Sequence, residues 1–237
     1  MRRALRRTIT PLVALATAIV VAGCGGIGTA PPVDVTAVDV APSALPTPAP
    51  TPAVVAQDTL IMIIRHGEKP DDSTSGIDAS GNEDDSSMTA TGWDRAHRLV
   101  DLFTPAAGPL RPGLARPAAI YAAGANENGE GQRTRETVAP LAGRLGIPVN
   151  IGFGKGDGEA LVEHVMAQPG PTLISWQHSE IPDIAGAFPA VTPTPPAEWP
   201  DDRFDVIWTL TRTADGWRFA QLPELLLPQD QAEVIED

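Results

Sequence analysis

The stretch from Thr59 to Ile64, Thr-Leu-Ile-Met-Ile-Ile, is an unbroken and largely β-branched apolar run, and Arg65-His66-Gly67-Glu68 comes directly after it. A strand able to bury both faces belongs in a sheet covered on both sides, so the run predicts a mainly parallel sheet between helical layers. The segments after it agree. Ala96, Leu99, Val100 and Phe103 fall at i, i+3, i+4 and i+7, one face of a helix beginning near Thr91. Ala118–Ala122 reads as a second strand. Val138, Leu141, Ala142 and Leu145 mark a second helix that Pro140 should kink or end in its first part. Val149–Ile151 is a third strand, Glu159–Gln168 a third helix, and Thr172–Trp176 a fourth strand leading to a short helix around Ile184. Phe204–Thr211 and Trp217–Leu222 read as a closing pair of strands joined at Asp215-Gly216. The expected fold is therefore α/β, a three-layer α-β-α arrangement with a mainly parallel central sheet.

The segment before this pattern has another character. Met1-Arg2-Arg3-Ala4-Leu5-Arg6-Arg7 is basic, Thr8 to Gly23 is uncharged, and Val21-Ala22-Gly23-Cys24 closes the stretch. This order reads as a secretory leader over 1–23 that is too short to span a bilayer and is interrupted by Pro11. Its last four residues resemble a bacterial lipobox, which implies that Cys24 becomes the lipidated first residue of the mature chain. Removing the four leader arginines would take the net charge from −13 to −17. Residues 24–57 combine that cysteine with a linker rich in Pro, Ala and Thr and without apolar period, a spacer that proline keeps from forming helix or ladder. The globular part is expected over 58–228, with an acidic tail over 229–237.

Charge and cysteine content remove several function classes. Thirty acidic residues against 17 basic ones argue against a general nucleic-acid binder, because phosphate backbones require a basic face. One cysteine excludes an internal disulfide framework and any multi-cysteine metal site. No G-x-S-x-G elbow of a serine hydrolase occurs. Gly152-Phe153-Gly154-Lys155-Gly156-Asp157-Gly158 lacks the G-K-[ST] of a phosphate loop and reads as a loop. His97 and His164 stand alone on helices, and Trp176, Trp208 and Trp217 read as core or pocket-wall aromatics.

In open α/β sheets ligands bind beyond the carboxyl ends of the strands. The first strand ends in Arg65-His66-Gly67-Glu68, the fourth in Gln177-His178-Ser179-Glu180, and the helix after the second begins near Gln132-Arg133-Thr134-Arg135. Two histidines and at least one arginine thus converge on one edge of the sheet. Arginine forks match phosphate oxygens, a neutral imidazole is a competent nucleophile toward phosphorus, and a protonated one stabilises developing charge.

Leu60-Ile61-Met62-Ile63-Ile64-Arg65-His66-Gly67-Glu68 resembles the signature strand of the histidine phosphatase superfamily, the phosphoglycerate-mutase-like fold. Thr89-Ala90-Thr91-Gly92-Trp93-Asp94-Arg95-Ala96 is similar to its T-x-x-G-x-x-[QR]-A helix start, Arg133-Thr134-Arg135-Glu136-Thr137 to its R-x-x-x-T, and Trp176-Gln177-His178-Ser179 sits where the family places its second histidine. The resemblance spans about residues 58–188. It implies His66 as nucleophile, Arg65, Arg133 and His178 on the phosphoryl oxygens, and Glu68 supporting the pocket through a hydrogen bond. Arg135 is the rival of Arg133; about 200° apart on a helix, only one of them can face the pocket.

The chain departs from the family's pattern in three places. Lys69-Pro70 follows R-H-G-E where Ser or Thr is usual, the interval Ala123–Gly131 is longer than the usual serine-containing turn, and the general acid is open between Glu159, Asp157 and Glu180. Asp157 and Glu159 can equally be a helix cap and a dipole partner. The segment 71–85 holds six acids and no base. It reads as a solvated insertion or as a filter against multiply charged anions.

The resulting expectation is an envelope phosphatase, lipid-anchored on the extracytoplasmic side. It would hydrolyse small phosphate monoesters through a phosphohistidine, with no metal, cofactor or nucleic-acid partner. The alternative is a catalytically inactive surface lipoprotein of the same fold that binds a ligand or partner.

Overall fold

The computed structural model describes residues 59–124 and 131–236. All of them belong to the unit Pro52–Asp237. Cys24, the leader and the linker lie outside the described residues, as does most of the long interval after the second strand.

The elements run β1 (Leu60–Arg65), α1 (Ala90–Phe103), β2 (Ala119–Ala122), α2 (Gln132–Leu145), β3 (Val149–Asn150), α3 (Gly158–Met166), β4 (Thr172–Trp176), α4 (Ile181–Gly186), β5 (Val191–Thr192), β6 (Val206–Thr213) and β7 (Gly216–Pro223). They build one seven-stranded sheet in the order β3-β2-β4-β1-β6-β7-β5. The strands β3, β2, β4 and β1 are parallel. β6 turns back antiparallel on β1, and β7 on β6.

The central strand explains the layering. Alternate residues of a strand point to opposite faces, and every residue from Ile61 to Arg65 is buried. Ile61 and Ile63 join Leu161, Val165, Ile181 and Ile184 in one core, so α3 and α4 cover that face. Met62 and Ile64 join Leu99, Phe103, Val138 and Leu141 in the other, so α1 and α2 cover the opposite face. This is the three-layer α/β arrangement that the apolar run implied.

Three local expectations change. α2 continues through Pro140; burial of Val138, Leu141 and Ala142 on the sheet outweighs the one backbone hydrogen bond that proline cannot make. The two-residue β5 had no visible pattern. Residues 229–236, read as an acidic tail, pack on the body. Ile235 is buried, its carbonyl accepts from Gln221 Nε2 at 2.8 Å, and Asp230 reaches the core of the molecule.

Asp230 gets there through Arg95. This α1 guanidinium is 2% exposed and pairs with Glu68 Oε1 at 2.7 Å, Glu224 Oε2 at 2.8 Å and Asp230 Oδ1 at 2.7 Å. One helix thereby ties the end of β1 to the residues after β7. The three carboxylates hold Arg95 firmly in its charged form. Glu224, fully enclosed and beside two like charges, has its carboxyl pushed up to about 8. Losing the cation would strand three carboxylates, a loss of the kind that costs about 3–5 kcal/mol. We expect Arg95→Met to lower the urea-unfolding free energy by that amount, far more than Arg98→Met, whose partner Asp94 forms an exposed pair.

Candidate active site

The site is assembled by strand pairing. Arg65 is in register with Trp176 across β1 and β4, and the His66 N–H donates to the Trp176 carbonyl at 3.1 Å. Two parallel strands end level with each other, so His66 and His178 emerge on the same sheet edge. His178 opens the single 3-10 turn His178–Glu180.

Close backbone approach fixes the turn after β1. A Cβ on Gly67 would lie 2.7 Å from Met88 Sδ and 2.9 Å from the Gly92 carbonyl, so only glycine lets the strand end meet the start of α1. Thr89 caps that helix, its hydroxyl accepting from the Gly92 N–H at 3.2 Å. The Gly67 N–H donates to Thr137 Oγ1 at 2.8 Å, joining β1 to α2. At the head of α2, Gly131 has φ 92°, and a Cβ there would meet the carbonyls of Ala123 and Gly124 at 2.7 and 2.5 Å.

Arg65 has no exposed surface. Its Nη1 donates to the carbonyls of Pro200 at 3.1 Å, Asp201 at 2.7 Å and Arg203 at 3.0 Å, and its guanidinium carbon sits 3.8 Å above the Phe204 ring. Burial lowers its pKa to about 10, so it stays a cation at neutral pH. Nη1 is thus occupied, whereas Nε and Nη2 are buried without a partner. Those two atoms form the side of the guanidinium that grips two oxygens of one anion.

His66 is 5% exposed, and its Nδ1 lies 2.7 Å from the Gly67 carbonyl. A carbonyl can only accept, so Nδ1 carries the proton and Nε2 keeps its lone pair. Burial, helped by the charges of Arg65 and Arg133, lowers the pKa to about 3. The imidazole is neutral throughout the physiological range.

His178 is partly exposed. Its Nε2 is 2.6 Å from Asp201 Oδ1, and its Nδ1 is buried without a partner. Burial and the nearby Arg65 charge lower its pKa, against the pull of Asp201. Arg133, half-buried on α2, donates from Nη1 to the carbonyls of Asp85 and Ser86 at 3.1 and 3.2 Å, and its charge is felt at both Arg65 and His66. Arg135 is exposed.

The structure therefore gathers Arg65, His66, Arg133 and His178. Glu68, expected to support the pocket, gives both of its carboxylate oxygens to Arg95, and its negative charge is also felt at Arg65. The three acid candidates stand elsewhere. Glu159 is exposed in the first turn of α3 and lines a hollow with Gly156, Glu180 and Asp183. Asp157 Oδ2 accepts from the Gly154 N–H at 2.8 Å. Glu180 accepts from Trp176 Nε1 at 2.7 Å and from the Gly156 N–H at 3.1 Å. Each has a local structural partner or position, and none of these contacts leads to His66.

The acidic insertion is ordered by its own carboxylates. Asp71 accepts from Ser73, Asp78 from Ser80 and Asn82, and Asp84 from Ser86 and Gln132. Its far end supplies the carbonyls that hold Arg133. Asp201 and Phe204 escaped the sequence reading as site residues; Asp201 has no spacing to mark it, and Phe204 read only as the start of a strand that in fact begins at Val206.

A scan against protein-family models gives no match, and a search of curated proteins gives none. Solved structures do match. A mycobacterial glucosyl-3-phosphoglycerate phosphatase is similar at 13% identity and TM-score 0.44, covering 70% of this chain and 97% of its own. An Escherichia coli protein described as an α-ribazole-5′-P phosphatase is similar at 12% identity and TM-score 0.44, covering 70% and 97%. An Agrobacterium tumefaciens protein described as the phosphohistidine phosphatase SixA gives 14% and 0.39, covering 68% and 94%. At these scores the likeness carries no weight for chemistry, which rests on the geometry above.

The low pKa of His66 has a measurable consequence for stability. Its ordinary value is 6.5 and its folded value about 3, so the unfolded chain binds the proton first. The stability that the neutral ring contributes is complete above pH 6.5 and is lost as pH falls toward 3. At pH 5 the loss is about 2 kcal/mol, from ~1.4 kcal/mol per pH unit. Urea unfolding at pH 7 and pH 5 should show the wild type losing about that much more than His66→Gln; equal losses would contradict the buried neutral ring.

Proposed function

We propose that this protein is a phosphatase that hydrolyses phosphate monoesters through a phosphohistidine on His66. The observation that carries the reading is the buried Nε–Nη2 edge of Arg65, left without a partner beside an imidazole that is neutral and has its Nε2 lone pair free. A buried cation with two unused donors calls for an oxyanion, and the adjacent nucleophile calls for an electrophilic centre in that anion.

In this reading the Arg65 edge takes two phosphoryl oxygens, and Arg133 adds charge from the α2 side. The His66 Nε2 lone pair attacks phosphorus in line with the ester oxygen. The N–P bond forms, the P–O bond breaks, and the departing oxygen takes a proton from solvent, which the water of the next step returns when it attacks phosphorus. The Gly67 carbonyl, already bound to Nδ1–H, steadies the positive charge that develops on the ring. Water then attacks the phosphohistidine, the P–N bond breaks, and inorganic phosphate leaves with His66 restored. Catalysis here is mostly positioning and neutralisation of charge. The basic leader over 1–23, directly before Cys24, supports placing the enzyme on the extracytoplasmic side of a membrane, held by a lipid on that cysteine.

Two experiments test the reading. The full-length chain incubated with a ³²P-labelled phosphodonor should acquire label that is stable in alkali and labile in acid, and His66→Ala should acquire none and lose at least ~10³-fold in kcat/KM while its far-ultraviolet dichroism stays unchanged. Turnover retained in a folded His66→Ala protein would remove the proposal.

The arginines form the second test. Arg133→Ala should lower kcat/KM by about 10²–10³-fold, the scale of one lost donor to a charged transition state. Arg135→Ala, on the exposed side of α2, should change it less than threefold. A reversed order would show that the wrong face of the helix had been assigned to phosphate.

A further inference from the structure

Asp201 touches the site twice. Its carbonyl accepts from Arg65 Nη1 at 2.7 Å, and its carboxylate Oδ1 lies 2.6 Å from His178 Nε2. The residue is thus held by its backbone to one member of the cluster and by its side chain to another, although that side chain is 81% exposed. The segment around it is fastened as well. Pro200 and Arg203 also give their carbonyls to Arg65, Phe204 lies on the guanidinium, and Trp199 Nε1 donates to the Arg203 carbonyl at 2.9 Å.

The two nitrogens of His178 therefore have separate tasks. Nε2–H faces the carboxylate and donates its hydrogen bond to it. Nδ1 is buried without a partner, as are Nε and Nη2 of Arg65. With Nε2–H committed to Asp201, the ring can donate from Nδ1 only when it holds a second proton. The groups facing the ring disagree about that proton. Arg65 and Lys69, from β1 and the residues after it, disfavour it, as does burial; Asp201 favours it. His66, also close by, is neutral and takes no side.

We propose that Asp201 is a positioning residue that favours the doubly protonated form of His178 and turns the ring so that its Nδ1–H points to the phosphoryl oxygens gripped by Arg65. The proposal rests on the phosphatase reading and deepens it. It assigns the second histidine's charge to a carboxylate more than twenty residues away in sequence, at the ring nitrogen remote from the phosphoryl group. Because the bond also orients the ring, the carboxylate's charge and its shape are separable. Asp201→Asn keeps the shape and removes the charge, whereas Asp201→Glu keeps the charge.

The sign of the pH effect comes from the charge alone. A negative charge at Nε2 raises the pH at which His178 loses its second proton, so removing that charge lowers it. The full-length chain, assayed with p-nitrophenyl phosphate from pH 5 to 9, should show the alkaline edge of its kcat/KM profile moving down by about one unit in Asp201→Asn. The variant should stay within about threefold of wild type at pH 5 and fall close to tenfold behind at pH 7.5, and Asp201→Glu should recover most of that loss. In parallel, the His178 ring resonances, identified by their absence in His178→Gln, should titrate at a lower pH in Asp201→Asn than in wild type.

A uniform loss at every pH, an unchanged profile, or an unmoved His178 titration would each overturn the role. The phosphatase reading fails separately, by absence of turnover and of acid-labile label in the wild type. The resonance titration judges the Asp201–His178 pair in either case.

Discussion

A guanidinium with no exposed surface must find a partner for its donors, and Arg65 organises the site around that demand. Three backbone carbonyls from the 200–203 stretch take Nη1, and the face of Phe204 covers the group. The carbonyls are the neutral half of the solution, since dipoles and a ring face offset part of the lost hydration without cancelling the charge. The remaining edge keeps its charge and its two donors. The contacts that bury Arg65 therefore also orient the edge that can receive an oxyanion, and they bring Asp201 to His178.

Strand pairing supplies the second constraint. β1 is flanked by β4 on one side and β6 on the other, so its end is level with His178 on the first side and close to the entry of β6 on the second. Phe204 and Asp201 precede β6, which is why residues so distant in sequence surround His66. The ring centroids of His66 and Phe204 are 6.1 Å apart. Burial by this wall, together with two arginine charges, keeps His66 neutral. The same desolvation that costs stability in acid leaves the ring neutral, with an unprotonated nitrogen, at every physiological pH.

Charge is managed differently a short distance away. Arg95 has all its contacts filled by carboxylates from three parts of the chain, with no edge left for a ligand. Arg65 and Arg95 are both buried arginines at the same end of the sheet, yet their partners give them opposite capacities. Carbonyl dipoles leave Arg65 a net cation, whereas the carboxyl groups around Arg95 offset its charge and fill its donors. Glu68, immediately after the Arg-His-Gly triplet, belongs to the second system. It links the end of β1 to α1 and the C-terminal residues, and its charge is also felt at Arg65.

Local sequence was enough for the architecture and for four members of the site. The apolar run through Ile64 could be buried only between two layers, and the change of period at Ala96 and Val138 placed helices on them. Arg65, His66, Arg133 and His178 were legible because each stands at the end of a strand or the start of a helix, where chain position dictates spatial position. The stretch carrying Asp201 has no period, and its place beside the cluster, like that of Phe204, comes from β6 pairing with β1, a long-range contact that no local spacing encodes. The same limit left the acid open in the sequence: Glu159, close in the chain to the strand ends, lines a hollow with Glu180 and Asp183. Composition marked 229–237 as an acidic tail, whereas Asp230 packs because a buried cation elsewhere in the chain binds it. What the sequence determined by itself was periodicity and the ends of elements, which are properties of neighbouring residues. Only the tertiary structure decided which charges meet, because burial and pairing bring together groups that the chain keeps more than a hundred residues apart.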